Sequence, residues 1–191
     1  MIIMNPVTEK IKILCADKNI SAEELAENAG LTVKQIELIF DSEKVPSLSS
    51  LIKISRALGV RLGTFLDDNE NIGPVVNKSS NQSHPVTFTS HLTNDNSHID
   101  FISLAASKAG RHMEPFLIDI KPYDSSKMAT SSHEGEEFLY VLKGSITVLY
   151  GLHEFVLNVG ESIYYDSIVE HLVTSTNNES AQVLAVVYTP N

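Results

Sequence analysis

Apolar residues recur at spacings of three and four through the first third of the chain: Ile11 and Leu14, then Ile36 with Ile39 and Phe40, then Leu51, Ile54 and Leu58. That period puts them on one face of a helix and predicts an all-helical unit to about residue 68. From about residue 86 the pattern changes to short β-branched and aromatic runs between turn residues: VTFTS, DFISLA, PFLIDI, EFLYVL, SITVLY, HEFVLN, ESIYY, HLVTST and QVLAVVYT. So many short strands predict a β-barrel or sandwich. The intervening DNENIGPVVNKSSNQSHP is polar and holds Gly73, Pro74 and Pro85, the composition of a linker. The expected organisation is therefore a helical domain over residues 1–68, a linker over 69–90 and an all-β domain over 91–191.

The helical part carries its own punctuation. In ISAEELAENAGLTVKQIELIF, Ser21 with Glu24 forms a capping-box pattern, Gly30 suits a tight turn, and Thr32 with Gln35 repeats the box for the next helix. Pro46 and Ser47 then precede LSSLIKISRALGVRLGTFL, which predicts two further helices separated near Gly59.

Composition narrows the function classes. With 191 residues, 42% of them hydrophobic, the chain buries a real core in one domain or two small ones. No apolar run approaches the ~18 residues of a membrane-spanning helix, and the opening MIIMNPVTEKIK is no signal peptide; a cytoplasmic protein without a membrane partner is expected. Cys15 is the single cysteine, which excludes an intrachain disulfide and a zinc-finger framework and fits a small core residue. A net charge of −10 opposes indiscriminate attraction to nucleic acid, so DNA binding requires a local basic surface.

The ELA at Glu24 to Ala26, Ala29-Gly30-Leu31, Ile36, Pro46-Ser47 and the IxxALGV at Ile54 to Val60 resemble the helix-turn-helix domain of phage-repressor-like, xenobiotic-response-element-type regulators, over about residues 7 to 68. The resemblance implies DNA binding through a helix from Val33 to about Phe40, with Thr32, Lys34, Gln35 and Lys44 as the contact candidates. The chain departs from the family at Ala22, where glutamine is common, and in charge. Within residues 1–70, Lys10, Lys12, Lys18, Lys34, Lys44, Lys53, Arg56 and Arg61 are outnumbered by acids, among them Glu37, Asp41 and Glu43 around the recognition segment. A former DNA-binding domain, now used for dimerisation or docking, is the alternative reading.

In SSHEGEEFLYVLKG, His133 is followed after three residues by Glu137 and after six more by Gly144. Residues an even number apart on a strand point to one face, which brings the imidazole and the carboxylate together. His171, in GESIYYDSIVEHLVTSTN, is a third candidate. These segments resemble the two motifs of the cupin family, from about residue 98 to the C-terminus. Ser131 stands where the first motif, H-x-H-x3-E-x6-G, has its first histidine. Asp166 and Ile168 replace the usual proline and glycine of the second motif, and Ser175 its asparagine. The resemblance implies a jelly-roll barrel, or double-stranded β-helix, with His133, Glu137 and His171 as ligands to a divalent metal: Fe, Zn, Mn or Ni. Two histidines and one carboxylate is the facial-triad composition that holds Fe(II) with open positions. A barrel without metal, binding an organic ligand, is the alternative.

Arg111 and Tyr140 are further ligand-binding candidates, with His112 and Glu114 beside the arginine. His84, His91, His98 and His153 have no spacing partner. A helix-turn-helix domain joined to a cupin occurs in two settings, and the chain resembles both. One is a dimeric transcriptional regulator whose cupin senses a small molecule. The other is the hydroxypropylphosphonate epoxidase family, mononuclear non-haem iron enzymes whose first motif is similar to HEGEEFLYVLKG. The regulator, a homodimer binding DNA and a small-molecule effector, is the primary expectation and the enzyme the alternative. A cupin isomerase using Glu136 or Tyr164 as base is a third.

Overall fold

The computed structural model describes residues 5–41, 45–66, 74–78, 86–87, 99–108, 110–122 and 129–190. Among the described residues five helices come first: α1 (Pro6–Lys18), α2 (Ala22–Ala29), α3 (Val33–Asp41), α4 (Leu48–Ala57) and the short α5 (Gly63–Leu66). Nine strands come after them among the same residues: β1 (Val86–Thr87), β2 (Ile99–Ser103), β3 (Met113–Ile120), β4 (Glu136–Lys143), β5 (Ser145–Tyr150), β6 (His153–Asn158), β7 (Ser162–Asp166), β8 (His171–Ser175) and β9 (Ala181–Tyr188). The change from helical to strand period in the sequence is thus the change from one architecture to the other. β1 falls within the segment expected to be linker. Lys44, His84, His91 and His98 lie outside the described residues.

Helix ends are set by the residues expected to set them. Ser21 Oγ accepts from the Glu24 N–H at 3.1 Å while Glu24 Oε2 accepts from the Ser21 N–H at 2.8 Å, a complete capping box for α2. Thr32 and Gln35 repeat it for α3, at 3.2 and 2.8 Å. Asn5 caps α1, with Pro6 behind it where no amide hydrogen is needed. Ile11, Leu25, Ile36, Leu51, Ile54, Leu58 and Phe65, from all five helices and the turn after α4, are buried together.

The strands form a six-stranded sheet, ordered β1-β2-β3-β9-β4-β7, and a three-stranded sheet, ordered β6-β5-β8. Alternate residues of the large sheet, among them Phe116, Ile118, Leu139, Val141, Val183 and Ala185, are buried with Ile146, Val148 and Leu157 of the small one. Period-two alternation therefore gives the large sheet an inner and an outer face. Phe138 and Val186 are half-buried and paired with each other on the outer face, not in the interior as Val141 and Val148 are. Among the described residues no helix is long and apolar enough to cross a membrane.

One inner row of the large sheet is polar. Glu114 pairs with Val187, Val187 with Glu137 and Glu137 with Tyr165, so polar groups from β3, β4 and β7 share one level of the interior. The next inner row, Phe116, Ala185, Leu139 and Ile163, is apolar. The polar row lies at the end of β4 where the chain enters from the His133 loop. That entry is held by two bonds, His133 N–H to Ser167 O at 3.0 Å and Ser167 N–H to Gly135 O at 2.9 Å.

Gly135 has φ +108°, and a Cβ built there would sit 2.0 Å from the Tyr188 carbonyl oxygen. Gly135→Ala is expected to lower unfolding stability by more than about 1 kcal/mol, through both strain and backbone collision. Denaturant melts of the two proteins check this. An unchanged midpoint would mean that the loop does not approach β9 so closely.

Candidate metal centre

Three segments deliver the site. His133 comes from the loop before β4, Glu137 from the second position of β4, and His171 from the first position of β8. The last is placed by a bridge in which the Ser131 and His171 backbones exchange two hydrogen bonds, each 2.9 Å. All three side chains are buried, and their ligand atoms lie within 4.8 Å of one another. His133 Nε2 is 2.8 Å and His171 Nε2 3.6 Å from the same carboxylate oxygen, Glu137 Oε1.

The other ring nitrogens decide what this convergence means. His133 Nδ1 lies 3.1 Å from the Glu134 carbonyl oxygen, and His171 Nδ1 lies 2.8 Å from the Val169 carbonyl oxygen. A carbonyl only accepts, so each Nδ1 carries the hydrogen, and in the neutral imidazole each Nε2 presents a lone pair. Two lone pairs and a carboxylate oxygen, all acceptors, face one point. Such a point is stable only around a cation: a proton on a ring nitrogen, or a metal ion that takes all three. The residues thus fit a divalent metal by donor chemistry, with both tautomers fixed by backbone acceptors as metal-ligating histidines require.

The remaining contacts tune the carboxylate. Tyr165, across the strand pair, donates its O–H to Glu137 Oε2 at 2.7 Å, leaving Oε1 directed at the histidines. Burial alone would raise the Glu137 carboxyl; in the metal-free state, where the ring nitrogens take up protons, the hydrogen bonds and positive charge of His133 and His171 outweigh burial and hold its pKa well below the usual carboxylate range. Burial lowers His171, yet its hydrogen bond to Glu137, that carboxylate's charge and the Val169 contact together raise it above an ordinary histidine. Burial first, then the Glu137 charge, pushes the Tyr165 hydroxyl well above its usual range, so it remains a donor. Ser131 Oγ is 3.4 Å from His171 Nε2, beside the cluster. A bound divalent ion would supply a Lewis-acidic centre with open positions for an oxygen-donor ligand.

Other candidates lie elsewhere. Tyr140 is three residues from Glu137 on β4 and faces the outer side of the sheet, against the expectation that it contacts an interior ligand. Arg111 is buried, but its Nε and Nη2 are each 2.7 Å from Glu114 Oε2, and its Nη1 donates to the Lys108 carbonyl oxygen. It acts as a staple across the turn into β3, not as an open anion clamp. Glu136 and Tyr164 hydrogen-bond to each other on the exposed outer face, which removes them as bases in the interior. Tyr165 is the functional neighbour that sequence reasoning left unassigned.

On the helical domain, Thr32 and Gln35 spend side-chain oxygens on their capping box, Thr32 exposed and Gln35 half-buried. Lys34 is exposed on α3, together with Val33, Glu37, Leu38 and Asp41. Two residues of α4 touch the metal-site loop. Ser49 Oγ donates to the Ser132 carbonyl oxygen at 3.3 Å, and Arg56 forms an ion pair with Glu134.

The comparisons with known proteins agree with this geometry. Residues 116–187 match the cupin domain model and residues 10–71 the Cro/C1-type helix-turn-helix DNA-binding domain model. No curated protein matches the chain. Among solved structures, an HTH_3 family transcriptional regulator from Vibrio cholerae is similar at 20% identity and TM-score 0.69, over 98% of this chain and 97% of that one. The Fe(II) form of HppE is similar at 20% identity and TM-score 0.51, over 96% and 98%. Hydroxypropylphosphonic acid epoxidase from S. wedmorenis is similar at 22% identity and TM-score 0.50, over 96% and 97%. At such identities the likeness speaks for the fold. The chain carries a Cro/C1-type helix-turn-helix domain followed by a cupin domain with a His/Glu cluster suited to a divalent metal, a combination that fits a DNA-binding regulator with a ligand-sensing cupin.

Proposed function

We propose that the protein is a cytoplasmic, homodimeric transcriptional regulator, with domains over residues 1–68 and 91–191 joined by 69–90, whose cupin holds one divalent metal on His133, Glu137 and His171 and senses a small molecule there. The observation that carries the metal part is the convergence of three acceptors on one point. The helix-turn-helix match supports the DNA part, with Thr32, Lys34, Gln35 and Lys44 as proposed contacts. The dimer is supported by the outer face of the six-stranded sheet. Exposed Met113, Tyr140, Leu142, Tyr164 and Tyr188 there make an apolar surface of the kind that a twofold interface covers.

A second reading, a mononuclear iron oxygenase or epoxidase, is favoured by one observation: two histidines and one carboxylate are the facial-triad donors, and the similar HppE structure is an Fe(II) form. Selection of genomic DNA fragments by the full-length protein separates the two. The regulator enriches a sequence; an enzyme with a degenerate helical domain enriches none.

For the enriched duplex, Lys34→Glu is expected to weaken binding and to lower the slope of log K against log salt by about 1, the loss of one phosphate contact. Fluorescence anisotropy over a salt series measures this, and an unchanged affinity would remove α3 from the interface. Tyr165→Phe is expected to reduce metal affinity roughly 10- to 100-fold by freeing the Glu137 carboxylate to rotate. Competition against a chelator reads it, with thermal unfolding of the metal-free proteins as the check that the barrel is intact. Equal affinity in the two proteins would contradict the role given to Tyr165.

A further inference from the structure

A cleft of about 700 Å³ lies between the helical domain and the end of the barrel that holds the metal site, a size typical of small-molecule sites. One wall is built from α4 and the turn after it, with Lys53, Arg56 and Arg61. The other holds His133, Glu134 and Ile168. Among the described residues the charges do not balance: Glu134 is the lone carboxylate in the lining, and it is engaged by Arg56. Among the described residues no carboxylate pairs with Lys53 or Arg61, and Arg61 makes only a long 3.5 Å contact to the Arg111 carbonyl oxygen. In a chain of net charge −10, a concave surface with surplus positive charge is a local reversal of the protein's field, which concentrates anions.

We infer that this cleft binds a small organic anion, its acid group between Lys53 and Arg61 and its apolar body against Ile52, Val60 and Ile168. Both domains contribute to the lining, and Gly30, in the turn between α2 and α3, is part of it. An anion seated there therefore bridges the barrel and the DNA-reading half. It also competes with Glu134 for Arg56, and the Glu134 carbonyl oxygen is the acceptor that fixes the His133 ring. Occupancy of the cleft and the position of a metal-site histidine are thus linked through one residue. The regulatory consequence rests on the regulator reading; the anion site itself does not.

The probe is hexanoate, with hexanol as the uncharged analogue, titrated calorimetrically into the full-length protein. Hexanoate is expected to bind saturably, with a dissociation constant on the order of 1 mM, and hexanol roughly tenfold more weakly. Lys53→Gln and Arg61→Gln should each weaken hexanoate roughly five- to tenfold with circular dichroism unchanged. Glu134→Gln, which releases Arg56, should tighten it, an opposite effect that misfolding cannot imitate. Hexanol binding as tightly as hexanoate, no saturable binding of hexanoate, or an Arg61→Gln protein with wild-type affinity would each overturn the site. DNA affinity measured on the same proteins keeps the two proposals apart. Charge-dependent hexanoate binding by a protein that selects no DNA would leave the anion site standing and overturn the regulator reading.

Discussion

Glu137 Oε1 faces two imidazole nitrogens whose lone pairs point at it, and the rest of the functional architecture is arranged around that crowding. The backbone carbonyls of Glu134 and Val169 fix the histidine tautomers from behind. Tyr165 occupies the second carboxylate oxygen. None of these partners supplies the positive charge that the centre lacks. A buried set of acceptors without a cation costs several kcal/mol, so the barrel is built to recruit one. The cluster lies at the end of the inner face where the chain enters β4, one row above purely apolar residues, so His133, Glu137 and His171 are the side chains that would hold such an ion there.

The helical domain meets the barrel at this same rim. Ser132 and Glu134 flank His133 on both sides and are the residues that Ser49 and Arg56 hold. Neither contact contributes much stability by itself, because the ion pair is about half exposed. Their value is positional: they tie the loop carrying His133 to α4, and α4 packs against α2, the first helix of the helix-turn-helix pair. That chain of contacts is short, with each member in direct touch with the next.

Much of this was legible in the sequence. The two periodicities located α1, α3, α4 and the strands from β2 onward, while α2 and α5 were read from caps and turns, and the capping residues Ser21, Glu24, Thr32 and Gln35 do what their spacing implies. His133 and Glu137 were expected to meet through strand alternation, but His133 lies in the loop before β4, and the pair meets because that loop turns at Gly135 and brings the imidazole back over the strand. Their meeting with His171 was readable only through the resemblance to cupins, since it depends on β8 lying beside the Ser131 segment. Tyr165 was invisible as the carboxylate's anchor for the same reason: parity along β4 sets Tyr140 on the face opposite Glu137, but Tyr164 and Tyr165 can be placed against that carboxylate only once the β4–β7 register is known. Arg111 read as a ligand-binding candidate because nothing along the chain shows that Glu114, three residues away, is its partner. Burial of both turned the pair inward on itself. The cleft has no signature at all along the chain, because Arg61 and Glu134 are brought together by domain docking.

X-ray absorption of the full-length protein loaded with Fe(II) or Zn(II) tests the central claim most directly. One ion per chain is expected, with two imidazole nitrogens near ~2.0–2.1 Å in its coordination sphere and the remainder oxygen, and with His171→Ala losing one of the two imidazoles or the ion altogether. A wild-type protein that stays metal-free after incubation with Fe(II), Zn(II), Mn(II) and Ni(II), or an ion whose shell contains no histidine, would contradict it and leave His133, Glu137 and His171 as a proton-sharing cluster in an organic-ligand barrel.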